Sequence, residues 1–397
     1  MSPRLLAVAT AMSLAALAGP ALAAEPVKIL FVGNSYTFGR VDPVLGYNAA
    51  AVQDLTAGFN AISAAGTNSH PAGTPGRGSF EPHPWGGVPG LFKKMTDAAG
   101  LDYEVSLSTR NAASLRGHFL NLYGAAWDLR GNVARQTWDL VVLQEQSDAA
   151  LPAGRGRNAG FALFRAYANQ FERFIHDGAA QSFTETQLFG GLAACRAAGL
   201  SQGDCNTRRD IPANPHASAA TRIVLEQTWA RPDMVEAHKL TRPDLATSDG
   251  RPITETGDAT RYYTDLAGMT ADLREAFRAV AAGNPGFAGV VPVGEAFQRA
   301  VDQGLAQGSG FYGADGSAVA GPAGQLDLWW LDRLHASKYG SYLSALTLFG
   351  AITGRDPLGL GANEQAAIDL GIASATARAL QRVASQQLGF VKAPARP

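Results

Sequence analysis

Apolar and polar residues follow two alternating patterns along this chain. Short apolar runs rich in Val, Ile and Leu predict buried strands, and they occupy residues 27–32, 103–107, 138–143, 223–229 and 288–293. Longer segments with helical spacing predict helices, and they occupy residues 88–99, 161–175, 269–282, 337–353 and 363–387, the last with a break near Gly371. Because strands and helices alternate, the sequence predicts an α/β sandwich around a mainly parallel sheet.

Two stretches do not fit this alternation. Residues 40–87 include a long segment rich in Gly, Pro, Ser and His, and residues 179–221 contain both cysteines. Long irregular connections are often functional. We therefore interpret both stretches as insertions near a functional site, within a single domain that spans residues 24–397.

The first 23 residues are typical of a secretory signal peptide. Arg4 supplies the positive start, the apolar run Leu5–Leu17 follows, and a small-residue cleavage sequence ends at Ala23. The alternative is a membrane anchor, but an apolar run of about 13 residues is shorter than the roughly 20 that span a bilayer. We therefore predict a secreted or periplasmic protein, with no membrane span in the mature chain. In an exported protein, Cys195 and Cys205 are expected to form a disulfide.

Composition excludes several classes of function. With 397 residues, 17% charged and 46% hydrophobic, the chain has an ordinary globular composition. A formal net charge of −1 offers no overall field for nucleic acid. The sequence contains no P-loop, no His-Glu-x-x-His and no Gly-x-Ser-x-Gly motif. His70, Glu81 and His83 lie together in the Gly- and Pro-rich segment without tight ligand spacing, so we expect no metal.

Ser35 comes shortly after the first predicted strand, from which Gly33 and Asn34 separate it. A serine at a strand-to-helix turn exposes its hydroxyl and aims the following N–H groups at one point. Both features suit a nucleophile that attacks a carbonyl and stabilises the resulting oxyanion. The alternative is a serine that only caps a helix.

Asp332 and His335 are three positions apart, so both side chains can face the same way on one turn. The carboxylate can then hold one tautomer of the imidazole and leave the other ring nitrogen free to take a serine proton. The alternative is a surface aspartate and a histidine with a structural role.

The predicted strand 138–143 is followed by Gln144, Glu145 and Gln146. Polar side chains at the carboxyl end of a buried strand are costly unless they are used. A glutamine N–H is a suitable donor to an oxyanion. The alternative is a set of polar residues that simply begin a loop.

In their order along the chain, these blocks resemble the SGNH (GDSL-like) hydrolase family. The similarity is to the branch with a Gly-Asn-Ser first block, a Gln-containing third block and a late Asp-x-x-His. Asn34 stands where Asp is more usual, and Gln144 replaces the usual Asn of the third block, with Gln146 as the alternative donor on the same face.

The second block of the family contributes a backbone N–H, usually from glycine. In this chain it matches residues 111–118 only loosely. The resemblance implies a donor from Gly117 or from the backbone of Ser114 and Leu115.

The resemblance also implies a fold and a mechanism. The fold is a three-layer, flavodoxin-like α/β/α sandwich with a parallel sheet of about five strands. The mechanism is a two-step acyl transfer without metal or organic cofactor, in which Ser35 attacks, His335 is the base and Asp332 orients it. The N–H of Ser35, a second-block N–H and Gln144 hold the oxyanion.

The sequence therefore predicts an exported serine esterase. The expected partner is a small-molecule or carbohydrate ester, with acetylated carbohydrate as the leading candidate from the resemblance. Within catalysis, the alternatives are a lipase, a thioesterase or an acyltransferase of the same fold. Outside catalysis, the alternative is a module that binds glycan or cell-surface material.

Overall fold

The structure is a computed structural model that describes residues 25–58, 84–124, 127–246, 252–258 and 260–392. The predicted signal peptide and the histidines at 70 and 83 lie outside the described residues.

The described residues form ten strands in three sheets. In chain order the strands are β1 (Val27–Gly33), β2 (Gln53–Asp54), β3 (Tyr103–Thr109), β4 (Leu140–Gln144), β5 (Gln181–Thr184), β6 (Arg208–Ile211), β7 (Arg222–Glu226), β8 (Lys239–Ala246), β9 (Pro252–Asp258) and β10 (Phe287–Val291).

The described residues also form thirteen α-helices and three short 3-10 helices, Ala49–Ala51, Pro232–Met234 and Pro357–Leu360. The α-helices are α1 (Ser35–Phe38), α2 (Gly87–Ala98), α3 (Leu115–Phe119), α4 (Leu129–Val133), α5 (Phe161–His176), α6 (Glu185–Leu188), α7 (Leu192–Ala197), α8 (Gln202–Asn206), α9 (Leu266–Gly283), α10 (Val293–Asp302), α11 (Lys338–Thr353), α12 (Gln365–Asp369) and α13 (Ser374–Gln387).

Six strands form the central sheet, in the order β10-β7-β4-β1-β3-β2, and all of its neighbouring pairs are parallel. Val32 of β1 pairs with Leu143 of β4 and with Ser108 of β3, and Gln144 pairs with Glu226. The carboxyl ends of these strands therefore lie at one edge of the sheet, where ligand sites of such folds occur. The pairs β5-β6 and β8-β9 form separate antiparallel sheets.

Helices cover both faces of the sheet. On one face α2, α10, α11 and α13 pack together, and Phe31 of β1 meets Phe92 of α2 with ring centroids 5.6 Å apart. On the other face α3 packs against α5, with Phe119 and Phe171 at 5.3 Å. The fold is the predicted three-layer α/β/α sandwich. All five residues of β4 are buried, because helices cover both faces of the parallel sheet.

Two sequence predictions about these elements were wrong. The last predicted strand, 288–293, ends at Val291, and Val293 begins helix α10, which the sequence pattern did not predict. Pro292 has no N–H to donate to the sheet, which explains the change. The sheet has six strands because β2, from the first insertion, pairs with β3 at the edge. The predicted break near Gly371 is confirmed, since α12 and α13 are separate helices.

The second insertion folds into the antiparallel pair β5-β6 and the helices α6 to α8 between these strands, and Cys195 and Cys205 are bonded as predicted. It is tied to the main domain through Glu185, which is fully buried. The Arg116 guanidinium of α3 donates two hydrogen bonds to the Glu185 carboxylate, at 2.6 and 2.7 Å. Arg209 of β6 donates a third at 3.1 Å. Among the described helices, none has both the length and the apolar composition required to cross a bilayer.

Candidate active site

The turn after β1 places Ser35 at the first position of α1. Asn34 follows the strand and caps the helix, and its Oδ1 accepts a hydrogen bond from the Tyr36 N–H at 3.0 Å. The Asn34 Nδ2 donates to the Ala113 carbonyl at 2.9 Å. Ser35 is thus held between its own helix and the loop after β3, and 6% of it is exposed.

Gly33 leaves room for the side chain that supports this turn. A Cβ at Gly33 would lie 2.1 Å from Thr37 Oγ1 and 2.6 Å from Gln144 Oε1. The Gln144 Oε1 accepts hydrogen bonds from the Asn34 N–H and from the Thr37 hydroxyl, both at 3.0 Å. A glycine before the serine therefore lets the end of β4 hold the turn directly.

His118 of α3 holds the same strand end. Its Nε2 lies 2.8 Å from the Gly33 carbonyl oxygen. Burial lowers the pKa of His118 to about 4, so the ring is neutral at neutral pH and its Nε2–H donates to that carbonyl. His118 therefore fixes the turn without carrying charge to it.

His335 reaches Ser35 from the segment between α10 and α11. Its Nε2 lies 2.8 Å from Ser35 Oγ, and its Nδ1 lies 2.6 Å from Asp332 Oδ2. The other oxygen of Asp332 accepts hydrogen bonds from the backbone N–H groups of Leu334 and His335, at 3.0 and 2.9 Å. The three predicted residues are thus joined by one line of hydrogen bonds.

Asp332 is ionised at neutral pH although little of it is exposed. Burial alone would raise the pKa of its carboxyl group, but the adjacent His335 ring and the N–H groups that donate to it lower this pKa to about 2. An ionised Asp332 holds the proton of His335 on Nδ1. Nε2 of the neutral ring is then the acceptor that faces the Ser35 hydroxyl.

Arg333 anchors the segment that carries Asp332 and His335. It is fully buried, and its φ of 57° lies in the left-handed region. The guanidinium donates to the Asp327 carboxylate and to the Val319 carbonyl. These bonds offset the strain of a left-handed arginine and fix the turn.

Trp229, just after β7, joins the serine turn to the histidine segment. Its ring stacks on Tyr36 with centroids 3.9 Å apart, and Tyr36 in turn lies edge-on to His335 at 5.9 Å. The Trp229 Nε1 donates to the Leu334 carbonyl at 3.1 Å. The position of His335 therefore depends on aromatic packing as well as on Asp332.

The N–H groups of the second block, from which the resemblance implied an oxyanion donor, make hydrogen bonds within the protein. The Gly117 N–H donates to Ser114 Oγ at 3.1 Å, which caps α3, and the Ser114 N–H donates to the Tyr123 hydroxyl at 3.0 Å. The Leu115 N–H donates to Glu145 Oε1 at 3.1 Å. All three N–H groups have partners within the protein, and a role of Gly117 or Ser114 at the oxyanion stays a prediction.

Gln144 and Gln146 have separate surroundings, contrary to the expectation that they share a face. The strand ends at Gln144, so the alternation of side chains stops there. Gln144 contacts the Ser35 turn, and its Nε2 donates to the Glu145 carbonyl. Gln146 lines a cavity instead. A role of either amide as an oxyanion donor stays a prediction.

This cavity, of about 330 Å³, lies between the loops that follow β3 and β4. Its lining comes from those two loops and from the start of α5, namely Ala112, Ser114, Arg116, Glu145, Gln146, Ala149, Asn158, Gly160, Leu163 and Phe164. Two of these residues, Ala112 and Ser114, flank Ala113, whose carbonyl accepts the hydrogen bond from Asn34 Nδ2, so the cavity wall is connected to the turn that carries Ser35. Burial raises the pKa of Glu145 to about 7, against the lowering effect of the N–H groups of Gln146 and Leu115.

The described residues contain no group of three or more His, Cys, Asp or Glu side chains arranged to hold a metal ion. What the geometry provides is an acid–base pair beside a hydroxyl, at the carboxyl edge of a parallel sheet. This arrangement can activate a serine oxygen for attack on an electrophilic carbon.

Three of the solved structures that match this chain are distant from it. A DUF4886 family protein from Bacteroides uniformis is 13% identical with a TM-score of 0.43, and the match covers 92% of this chain and 95% of that one. A candidate SGNH hydrolase from Slackia heliotrinireducens is 17% identical with a TM-score of 0.35, over 83% and 100%. A gut microbial diltiazem-metabolizing enzyme is 12% identical with a TM-score of 0.32, over 82% of this chain and 47% of that one.

No protein-family model matches this chain, and no curated protein matches it. At these identities and TM-scores, the similar structures assign neither a family nor an activity to it.

Sequence reasoning missed a buried ionic cluster next to the site. Arg231 donates to Ser147 Oγ at 2.9 Å and to Asp148 Oδ1 at 3.3 Å, and it also donates to the Asp233 carboxylate at 2.9 and 2.5 Å. These bonds hold the loop after β4 against the loop after β7. The available signal was the position of Arg231 shortly after a predicted strand, where sites in parallel sheets lie.

Proposed function

We propose that this chain is a serine ester hydrolase of the SGNH type, which cleaves carboxylic esters through an acyl-serine intermediate. The observation that carries the proposal is the line of hydrogen bonds from Ser35 Oγ to His335 and on to Asp332, at 2.8 and 2.6 Å. In such a line one side chain accepts the serine proton while the other holds the base in the required tautomer. A module that only binds its ligand has no chemical need for this line.

In the first step, Ser35 Oγ forms a bond to the ester carbonyl carbon while its proton moves to His335 Nε2. The imidazolium that results is stabilised by the ionised Asp332. The tetrahedral intermediate then breaks its bond to the alcohol oxygen, which leaves with the proton from Nε2. An acyl group remains on Ser35.

In the second step, water attacks the acyl carbon and gives a proton to His335 Nε2. The bond between the acyl carbon and Ser35 Oγ breaks, and Oγ takes that proton back. The products are a carboxylic acid and the free serine, so the cycle is complete without a metal or an organic cofactor.

The Ser35 N–H is the oxyanion donor that the geometry favours. The first N–H groups of a helix have no partner within that helix, and Asn34 and Gln144 fix the turn from which this one projects. We propose Gln144 as a second donor, through the remaining hydrogen of its amide. Loss of one such donor typically costs about 100- to 1000-fold in rate.

The finer parts of the proposal rest on the sequence. The signal-like first 23 residues support a secreted or periplasmic protein. The resemblance to SGNH enzymes supports a small acyl ester as substrate, with acetylated carbohydrate as the leading candidate. We propose no nucleic acid partner.

Hydrolysis of p-nitrophenyl acetate tests this function. The wild-type protein is expected to release p-nitrophenol, and Ser35→Ala is expected to lower kcat by at least about a thousandfold. Ser385→Ala is a matched control, because Ser385 is also a buried serine but belongs to α13. A fluorophosphonate label should be found on Ser35 by mass spectrometry.

Two other results would redirect the proposal. Equal rates for the wild type and Ser35→Ala would favour a binding module. Transfer of the acyl group to an added sugar, in preference to water, would identify an acyltransferase that uses the same serine.

A further inference from the structure

We infer that Glu145 is a positioning residue of the active site, whose carboxylate holds the loop after β3 in place against the turn that carries Ser35. This inference rests on the proposed function and adds to it a residue that acts through the serine turn. Two features carry it: a closed ring of bonds that includes Glu145, and the ionic character of this one link.

The ring joins the serine turn to the strands on either side of it. The Asn34 N–H donates to Gln144 Oε1 at 3.0 Å, and Glu145 follows Gln144 in the chain. Glu145 Oε1 accepts from the Leu115 N–H at 3.1 Å. Two residues before Leu115, the Ala113 carbonyl accepts from Asn34 Nδ2 at 2.9 Å, which closes the ring. The residue that precedes the nucleophile is therefore held from both sides, and Glu145 links the two.

The carboxyl group of Glu145 is held in one geometry. Only 2% of Glu145 is exposed, and its Oε1 accepts a second hydrogen bond from the Gln146 N–H at 2.6 Å. Hydrogen bonds to an ionised carboxylate are roughly twice as strong as those to a neutral oxygen. The strength of this link therefore depends on the charge of Glu145.

Glu145 is also the one residue of the ring with an ionisable side chain. Burial raises the pKa of its carboxyl group to about 7, so the negative charge is lost as pH falls below neutrality. His118, which donates to the Gly33 carbonyl at 2.8 Å, stays neutral above its own pKa of about 4. The ring should therefore loosen below pH 7, while the contact from His118 persists.

The other charged and titratable groups near this link keep their charges between pH 5.5 and pH 8.5. On α3, the Arg116 guanidinium is bonded to the carboxylate of the second insertion, at 2.6 and 2.7 Å. Burial raises the pKa of Tyr123, which stays neutral beneath the Arg110 guanidinium. Asp148 is paired with a buried guanidinium at 3.3 Å, and the residues of α5 that line the cavity carry no charge. The charge that changes at the link is therefore that of Glu145.

Glu145→Gln tests the inference, because it fixes the side chain in a neutral form of nearly the same shape. At pH 8.5 the variant is expected to hydrolyse p-nitrophenyl acetate with a kcat/KM about tenfold below that of the wild type. At pH 5.5 the wild type has lost the same charge, and the two values should agree within about twofold. Both proteins contain His335, so its titration cancels in the ratio. A merely structural role of Glu145 predicts the same ratio at both pH values.

Glu226→Gln is the matched control. Glu226 is also a buried glutamate at the carboxyl end of a parallel strand, but its Oε2 has no hydrogen-bond partner among the described residues. The kcat/KM of this variant should stay within about twofold of the wild type at both pH values.

A second pair of variants tests the link from its other end. Leu115→Pro removes the N–H that Glu145 accepts, and proline suits the first position of a helix, which Leu115 occupies in α3. Leu115→Ala loses the same buried side chain but keeps the N–H. At pH 8.5 the proline variant should be about tenfold slower than the alanine variant, and this gap should close at pH 5.5.

The outcomes separate the inference from the proposed function. Hydrolysis that depends on Ser35, with a ratio of wild type to Glu145→Gln that does not change with pH, overturns the inference and leaves the esterase intact. If Glu145→Gln does not fold, equal rates of the two Leu115 variants at pH 8.5 overturn it in the same way. A gap in Glu226→Gln that also closes at pH 5.5 overturns it, because the effect would then not depend on the ring. A wild type that does not hydrolyse p-nitrophenyl acetate overturns both.

Discussion

The side-chain carboxyl groups of Asp332 and Glu226 differ in their surroundings. Asp332 has a histidine and two N–H donors, so its pKa is lowered to about 2. Glu226, at the end of β7, is also buried, but its Oε2 has no partner among the described residues, and burial raises its pKa to about 8. The same chemical group is therefore charged at one position and neutral at the other at pH 7.

The raised pKa of Glu226 predicts a stability that depends on pH. Its pKa is about 8 in the folded protein and about 4.5 in the unfolded chain. Between these values the folded state binds more protons than the unfolded state, so the free energy of unfolding falls as pH rises from 4.5 to 8. Glu226→Gln removes this titration and should reduce the difference in the free energy of unfolding between pH 5 and pH 9 by about 4 kcal/mol.

Urea unfolding at pH 5 and pH 9 measures this difference. Glu275→Gln is the control, because Glu275 is an exposed carboxyl on α9. Parallel profiles for the wild type and Glu226→Gln would contradict the expectation.

At the scale of one element, the segment from Asp327 to Ser337 is held in place mainly by side-chain hydrogen bonds. It carries both Asp332 and His335 and contains no helix or strand, only the isolated bridge between Trp329 and Ala336. Its geometry therefore depends on side-chain anchors, above all on the buried guanidinium of Arg333.

Replacement of Arg333 should lower activity indirectly, through the position of His335. Arg333→Lys keeps the charge but cannot donate to Asp327 and to the Val319 carbonyl with the same planar fork. A displacement of His335 by about 1 Å can cost about 100-fold, so we expect kcat on p-nitrophenyl acetate to fall at least about tenfold while KM changes little. Arg355→Lys, at an exposed arginine, should match the wild type. An unchanged kcat in Arg333→Lys would show that other contacts suffice.

At the scale of the whole molecule, the second insertion is attached to the helix that follows β3. Glu185 receives hydrogen bonds from Arg116, Arg209 and Tyr167, and it is fully buried. Arg116 also lines the cavity between the loops that follow β3 and β4. The insertion thus supports one wall of that cavity.

Loss of the charge on Glu185 should destabilise the protein strongly. Glu185→Gln removes the buried anion that Arg116 and Arg209 share and leaves them with the half-exposed Asp204, at 3.8 and 3.7 Å. Loss of one partner of a buried ion pair typically costs about 3 kcal/mol or more.

Asp210→Asn is the contrast, since Asp210 and Arg208 form an exposed ion pair, and little change is expected there. Urea unfolding of the three proteins measures both effects. Equal effects of the two substitutions would contradict the argument.

The sequence alone determined the layers of this fold and the members of the line at Ser35. Runs of consecutive apolar residues indicate strands that are buried on both faces, and helical spacing of apolar residues indicates a helix that is buried on one face. Both patterns can be recognised within a short stretch of sequence. Ser35, Asp332 and His335 could be proposed because turn chemistry and short spacing are also local. Val293 was misassigned because an apolar run continues across Pro292 from a strand into a helix.

Tertiary structure decided everything that depends on which distant groups meet. Ser114 and Gly117 are the right residue types for a donor block, but their N–H groups are used by a helix cap and by Tyr123. Gln144 and Gln146 look equivalent in the sequence, yet one supports the serine turn and the other lines a cavity. A sequence encodes which groups are available for hydrogen bonding, whereas only the packing of the layers determines which of them find partners.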